Sequence, residues 1–171
     1  VIRINHLGDW GSQFGKLVAA WHRWGSEEEL ERAPIEHLLA LYVRFHAEEA
    51  ADPALAAAAK RAFKELESGA DNATRAAWRR FTALSVREFE KVYRRLGVRF
   101  DFVRGESWYE NKLDALVAWL RSCGVVEESD GALVVRLESL GIKTPCLVKT
   151  AHDTTLYATR DLAAAKSRWE E

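Results

Sequence analysis

A short apolar stretch leads directly into a glycine-rich run, and this arrangement constrains the fold more than any other feature. Val1 to Ile4 is apolar apart from Arg3, and the run from Asn5 to Gly15 places three glycines around an aspartate, a tryptophan and a glutamine. Glycine lets the backbone turn tightly and approach a ligand, while the other side chains offer a stacking face and polar groups. The pattern predicts a strand that ends at a binding pocket.

The composition predicts one globular core and excludes several classes of protein. The chain has 171 residues, of which 48% are hydrophobic and 30% charged, and its formal net charge is only −1. Its two cysteines, Cys123 and Cys146, are too few and too far apart for a zinc site or a disulfide framework. We therefore expect a reducing environment. We also expect a cytoplasmic monomer, without a metal site or a tightly bound cofactor. No apolar run reaches membrane-spanning length, so no membrane partner is expected.

The first residue is Val1, and the composition includes no methionine. The last residues, from Arg168 onward, continue a helical pattern. These two features predict an internal piece of a longer protein.

Hydrophobic periodicity and helix-breaking residues predict the elements of the first 97 residues. A strand and the glycine turn precede a helix that ends at Gly25, and three further helices are separated at Asp52-Pro53 and at 68–71. The last of these helices has an apolar stripe that we expect to be buried. The stripe consists of Trp78, Phe81, Leu84 or Ser85, Phe89, Val92 and Leu96.

The remaining residues change to a mixed pattern of strands and helices. We expect Ser107 to cap a helix that continues through Arg121. A strand is predicted at 98–103, a hairpin of 125–128 with 133–137 across Ser129-Asp130-Gly131, a strand pair of 144–149 with 154–158, and a final helix from about Thr159.

The last strand and helix bring together two side chains of interest. Tyr157 is expected to end the strand and Asp161 to lie in the first turn of the helix, so both face one spot at the carboxyl end of a sheet. A carboxylate beside a tyrosine suits a cationic ligand, because it accepts two hydrogen bonds from a guanidinium while the ring flanks its plane. Alternatively, Asp161 only caps the helix and Tyr157 packs in the core.

Four segments in order resemble the arginyl-tRNA synthetases of class I. They are Ile4 to Gly15, Phe100 to Tyr109 with its Gly-Glu-Ser, Glu128 to Ala132, and Leu156 to Ala163. The resemblance implies an α/β fold, namely an incomplete Rossmann-like nucleotide-binding fold with a large, mostly helical insertion and a small β-hairpin element. It implies that residues 1–25 and 144–171 are pieces of the catalytic domain and that 26–143 are the insertion.

The same resemblance implies an activity in protein biosynthesis. The family joins arginine to ATP as arginyl-adenylate and transfers the arginyl group to tRNA(Arg), so L-arginine, ATP with Mg²⁺, and tRNA(Arg) are the implied partners. Tyr157 and Asp161 match the residues that contact the arginine side chain. The residues implied to line or support the same pocket are His6, Gly8, Asp9, Trp10, Gly11 and Gln13.

Two departures from the family limit what the resemblance implies. The turn from Lys149 to Thr155 is one residue longer than the family's Lys-Ser-Asp-Gly-Thr-Thr and lacks its glycine, so we expect a reshaped hairpin. His152 in this turn suits a ligand or proton carrier, although an idle, exposed histidine is the commoner case. Both ATP-binding signatures of class I synthetases are missing. His6-Leu7-Gly8-Asp9 resembles the first, His-x-Gly-His, but ends in aspartate. The second, Lys-Met-Ser-Lys, needs a methionine, which the sequence lacks. We expect no catalytic residue here and no activity of the chain alone.

Two other functions fit parts of the sequence. Basic residues cluster between Arg75 and Arg95, which suits a helical RNA-binding or docking module derived from a synthetase. Glu88 and Glu90 interrupt the cluster, so a solvated helix face explains it more simply. A class I synthetase for another amino acid, such as cysteine, requires Tyr157 and Asp161 to face an uncharged ligand.

Overall fold

The computed structural model describes residues 1–151 and 155–170, which form two compact units. The first unit comprises Val1–Ile4 and Asp9–Phe102, and the second comprises Asn5–Gly8 and the residues from Val103 onward. The second unit therefore joins residues on both sides of the expected boundary at 143/144. The assignment of 1–25 and 144–171 to the catalytic domain, and of 26–143 to an insertion, stays a prediction.

The first unit is almost entirely helical. The first residue of strand β1 (Ile4–Asn5) and the first residue of strand β2 (Phe102–Val103) belong to this unit. Between them lie the helices α1 (Ser12–Trp24), α2 (Glu27–Arg32), α3 (Pro34–Glu48), α4 (Pro53–Glu67) and α5 (Ala73–Leu96). The predicted helix positions are confirmed, and α2 is an additional short helix that the periodicity did not indicate.

Side-chain caps explain where α4 and α5 begin. The Asp52 side chain accepts hydrogen bonds from the backbone N–H groups of Ala54 and Leu55, and the Asn72 side chain accepts one from Arg75 N at 2.8 Å. These bonds satisfy backbone donors that have no partner within the first helical turn. At the other end of α5, Gly97 adopts the left-handed conformation with φ 69°, which ends the helix.

Helix α1 lies at the centre of the first unit and packs on α3, α4 and α5. Its Val18 is fully buried in a cluster with Phe81, and Ala20 lies in a second cluster with Phe45. The apolar stripe of α5 is only partly buried, contrary to the prediction, because the neighbouring helices cover its first half. Trp78 is buried there, whereas Phe89, Val92 and Leu96 near its end are 36%, 54% and 69% exposed.

The second unit begins with a parallel pattern of backbone hydrogen bonds beside β1 and β2. Arg104 N donates to Asn5 O and Glu106 N donates to Leu7 O, each at 2.9 Å. A 3₁₀ segment, Glu106–Lys112, follows and leads into helix α6 (Leu113–Ser122). The prediction that Ser107 caps this helix is wrong, because the α-helix begins only after the tighter 3₁₀ turns that bury the side chain of Tyr109.

A three-stranded antiparallel sheet completes the second unit with helix α7 (Tyr157–Glu170). Its strands are β3 (Glu127–Ser129), β4 (Ala132–Val135) and β5 (Cys146–Lys149). Asp130 and Gly131 have φ of 50° and 77° and form a two-residue turn between β3 and β4, within the predicted Ser129-Asp130-Gly131. The hairpin prediction is therefore confirmed.

The predicted strand pair of 144–149 with 154–158 is wrong. Strand β5 pairs with β4, and only an isolated bridge joins Lys149 to Thr155 among the described residues. Tyr157 begins α7 instead of ending a strand. The buried Thr159 explains this start, since its hydroxyl accepts a hydrogen bond from Leu156 N and donates one to Val148 O. Within the described ranges, no helix is long and apolar enough to cross a membrane.

Candidate functional site

The second unit brings Tyr157, Asp161 and His6 together at the start of α7. The Tyr157 hydroxyl donates a hydrogen bond to the Asp161 carboxylate, and His6 Nε2 lies 3.7 Å from Asp161 Oδ1. Tyr157 and Asp161 are four residues apart on the same helix, so they are neighbours on one helical face. Their proximity is as expected, although both belong to the helix.

The orientation of the His6 ring follows from its other hydrogen bond. His6 Nδ1 lies 3.1 Å from the carbonyl oxygen of Arg104, which can only accept. Nδ1 therefore carries a proton, and Nε2 is the ring nitrogen that faces Asp161. The ring of Tyr109, with its centroid 5.8 Å away, contacts the imidazole from the side. His6 and Asp161 thus lie side by side, with a ring nitrogen next to the carboxylate.

Glu106 adds a second carboxylate near this group. The hydrogen bond from Tyr157 to Asp161 is the main cause that raises the pKa of the Tyr157 hydroxyl above its ordinary value. The negative charges of Asp161 and Glu106 raise that pKa further. Glu106 is not among the site residues predicted from the sequence, although its position in Gly105-Glu106, three residues after the end of strand β2, was a usable signal.

Tyr109 and Gly8 complete the surroundings of these side chains. Tyr109 is fully buried, and its hydroxyl has no hydrogen-bond partner among the residues that the structure describes. Gly8 leaves space, since an added Cβ would meet Glu106 Oε1 at an ordinary 3.6 Å. A buried hydroxyl normally has a partner, so Tyr109 is a candidate contact for a bound molecule.

The other residues of the glycine-rich run lie in the first unit. The carbonyl oxygen of Asp9 accepts a hydrogen bond from Trp78 Nε1 at 2.7 Å. Trp10 is only 4% exposed, and its ring meets that of Trp78 edge to face at 5.4 Å. Asp9 and Trp10 are therefore fixed by contacts within the core of this unit, and their part in binding stays a prediction.

Gly11 and Gln13 form the start of α1. Gly11 is the residue before the helix and has φ 126°, a conformation that side chains other than glycine rarely adopt. Gln13 is exposed, and its side chain folds back over Gly11. A single pocket formed by these residues together with His6 and Asp161 stays a prediction.

The described residues contain no group of three or more histidine, cysteine, aspartate or glutamate side chains that could hold a metal ion. Both cysteines, Cys123 and Cys146, are free thiols. His152, proposed above as a ligand or an idle side chain, lies outside the described residues, as does most of the altered turn around it.

A family model described as the catalytic domain of class I tRNA synthetases (R) matches residues 1–171. The chain belongs to this family. Among solved structures, the arginyl-tRNA synthetase of Plasmodium falciparum is similar, with a TM-score of 0.77 and 22% identity over 98% of this chain and 27% of that one. A similarity at this level of identity establishes the mostly helical α/β fold.

Two curated members of the synthetase family show the extent of the match. The chain is 51% identical over 167 residues to the arginine–tRNA ligase of Clostridium beijerinckii, covering 98% of this chain and 29% of that protein. It is 52% identical over 163 residues to the corresponding ligase of Clostridium kluyveri, covering 95% of this chain and 28% of that protein. The chain therefore spans less than a third of the length of these relatives.

Proposed function

We propose that this chain forms part of an arginine–tRNA ligase and that its second unit binds the arginine side chain through Asp161 and Tyr157. The observation that supports this most directly is the contact group of Asp161 with Tyr157 and His6. All three side chains lie within one compact unit.

The chemistry of this group suits a guanidinium ion. The Asp161 carboxylate accepts hydrogen bonds, and a guanidinium has only donors. Tyr157 is 69% exposed, so its ring is available to lie against the plane of the cation. Glu106 adds negative charge near the tyrosine. A neutral side chain, such as that of cysteine, would leave this charge uncompensated.

The reaction that we propose for the whole enzyme has two steps. The carboxylate of arginine attacks the α-phosphate of ATP and pyrophosphate leaves; a ribose hydroxyl of tRNA(Arg) then takes the arginyl group and AMP leaves. The parallel hydrogen bonds beside β1 and β2 are compatible with part of a Rossmann-like fold. We assign no residue of this chain to ATP or Mg²⁺, and its own contribution is to hold and orient arginine.

A segment exchange tests this function. The aligned segment of the Clostridium beijerinckii ligase is replaced by residues 1–171, and arginine-dependent exchange of pyrophosphate into ATP is measured. We expect exchange within about tenfold of the unaltered relative, a loss of at most about 1.4 kcal/mol of transition-state stabilisation. The 171-residue chain alone should give no exchange.

The control is a second chimera with the same junctions and Asp161→Ala. Circular dichroism and thermal unfolding establish that both chimeras fold. A folded chimera that uses another amino acid in place of arginine, or that loses nothing on Asp161→Ala, would contradict the proposal. Exchange by the isolated chain would show that it does not depend on other parts of the enzyme.

A second candidate function, RNA binding by α5, is supported by the end of that helix. Arg79 and Lys91 form ion pairs with Asp71 and Glu88. In contrast, Arg94 and Arg95 are exposed and form no ion pair within the described ranges. Two such guanidinium groups on consecutive residues suit RNA phosphates.

We expect Arg94→Gln with Arg95→Gln to weaken binding of tRNA to the chain several-fold and to flatten its salt dependence. Each lost phosphate contact should reduce the slope of log K against log salt by about 0.7–0.9. Arg79→Gln is the matched control, because its charge is already paired with Asp71. Equal slopes for the double variant and the control would exclude this end of α5 as an RNA contact.

A further inference from the structure

The second unit contains a cleft that the arginine site does not use. It has a volume of about 280 Å³ and lies between the 3₁₀ segment, α6 and α7. The side chains that give it its chemical character are those of Asn111, Lys112, Trp119, Lys166, Ser167 and Glu170. Its size is slightly below the ~300–1,000 Å³ of pockets for drug-sized ligands, so it suits a smaller group.

The cleft and the arginine site lie on different sides of α7. Lys166 and Ser167 follow Asp161 by five and six residues, which at 3.6 residues per turn rotates them by roughly 120–140° away from it. Tyr157, four residues before Asp161, stays on the face of the arginine site. A ligand in the cleft therefore does not occupy the position of the arginine side chain.

Lys112 supplies a positive charge that no carboxylate neutralises within the described residues. Its ammonium group donates a hydrogen bond to Ser167 Oγ at 3.2 Å and lies 4.3 Å from the ring centroid of Trp108. Both partners are uncharged, and the side chain is half-buried. A partly desolvated ammonium group with neutral partners favours an anion more strongly than an ammonium group in open solvent.

Trp119 supplies an aromatic surface in the same cleft. Its side chain is 45% exposed, which is unusual for a large apolar ring. Lys166 Nζ lies 5.1 Å from the ring centroid and forms an ion pair with Glu170. The charges of Lys166 and Glu170 cancel, so Lys112 determines the positive charge of the cleft.

An aromatic surface beside one uncompensated cation is the combination by which proteins bind single-stranded nucleic acid, with a base on the ring and a phosphate on the cation. We propose that this cleft binds one unpaired nucleotide of an RNA strand, with the base on Trp119 and the phosphate on Lys112. That the strand is RNA rests on the proposed function, since a tRNA is the nucleic acid that such an enzyme handles. The cleft itself adds a contact separate from the arginine site.

Binding of a labelled single-stranded hexamer of riboadenylate to the 171-residue chain, measured by fluorescence anisotropy, tests the proposal. Lys112→Gln should weaken binding about tenfold and reduce the slope of log K against log salt by about 0.7, the value for one phosphate contact in a single strand. Trp119→Leu should weaken binding about tenfold without changing that slope, because stacking involves no counterion.

Two matched variants provide the controls. Lys143→Gln removes an exposed lysine of the same unit, and Trp169→Leu removes a tryptophan that is 92% exposed on α7 outside the cleft. Both should bind like the unaltered chain. Thermal unfolding of all variants shows whether a loss of binding reflects a loss of folding, and Lys112→Arg, which keeps the charge, should restore most of the affinity.

Competition separates RNA from smaller ligands. The hexamer should bind at least tenfold more tightly than AMP and more tightly still than inorganic phosphate. Cleft variants that bind the hexamer like the control variants would overturn the proposal, and so would phosphate that competes as well as the hexamer. Failure of the proposed function would appear in a different experiment, as a chimeric enzyme without arginine-dependent exchange. In a functional chimera, Lys112→Gln should leave the KM for arginine unchanged.

Discussion

Replacing Asp161 by asparagine in the chimeric enzyme should raise the KM for arginine about 10- to 100-fold. Asparagine keeps the shape of the side chain and one accepting oxygen, but it removes the negative charge that faces the guanidinium. Hydrogen bonds to charged groups contribute about 1.5–3 kcal/mol, and 10- to 100-fold corresponds to about 1.4–2.7 kcal/mol. Initial rates of pyrophosphate exchange at varied arginine concentrations measure the effect.

The control for this substitution is Asp114→Asn. Asp114 is an exposed carboxylate in the first turn of α6, within the same unit, and it forms no part of the contact group around His6. Its removal should leave the KM for arginine within about twofold of the unaltered chimera. Tyr157→Phe keeps the ring and loses the hydroxyl, so its effect should be smaller than that of Asp161→Asn. An Asp161→Asn enzyme with an unchanged KM would remove Asp161 from the binding site.

Local interactions made much of the helical unit predictable. Asp52 and Asn72 cap α4 and α5 with bonds to residues two or three positions away, so the sequence signal and the structural cause lie in the same few residues. The Asp130-Gly131 turn is similar, because both residues adopt the positive φ that their types favour. Predictions of this kind need no knowledge of tertiary contacts.

The sequence-based predictions are wrong where contacts between distant residues determine secondary structure or burial. The β-branched and aromatic residues before Ala158 favour a strand, but the bond from Thr159 to the carbonyl of Val148, eleven residues away, fixes the start of α7 instead. The periodicity of the α5 stripe correctly predicts a helix. It does not indicate which turns of that helix are covered by a neighbouring helix. Phe89 and Leu96 are therefore exposed although they continue the line of Phe81.

The candidate site was predictable only in part for the same reason. Tyr157 and Asp161 are close in either secondary structure, since four residues separate them in the sequence. Glu106 and His6 approach them through tertiary structure, by way of the backbone hydrogen bonds of Leu7 and Arg104. No spacing in the sequence indicates that Glu106 and His6 come near Asp161. The family resemblance indicated His6 as a pocket residue but did not indicate its contact with Asp161.

Glycine is required at different positions of the opening run for different physical reasons. Gly11 is required by its backbone conformation at φ 126°, whereas Gly15 is required by space. A Cβ at Gly15 would lie 2.5 Å from the carbonyl oxygen of Ala59 and 2.7 Å from Cβ of Phe63. Because neither atom belongs to the flexible end of a side chain, α1 and α4 would have to separate. Gly15 therefore serves helix packing in the first unit.

Gly15→Ala should lower the free energy of unfolding by about 1–2 kcal/mol, the upper part of the cost of overpacking less the helix gain, measured by urea denaturation of the chain. Alanine favours the helix by about 1 kcal/mol over glycine, but overpacking at the central α1–α4 contact typically costs 1–3 kcal/mol and can cost more against backbone atoms. Gly8→Ala is the matched control, because its added Cβ meets only a side-chain atom at 3.6 Å, without a positive φ. A Gly15→Ala chain as stable as the Gly8→Ala chain would show that α1 and α4 are not held at the observed separation.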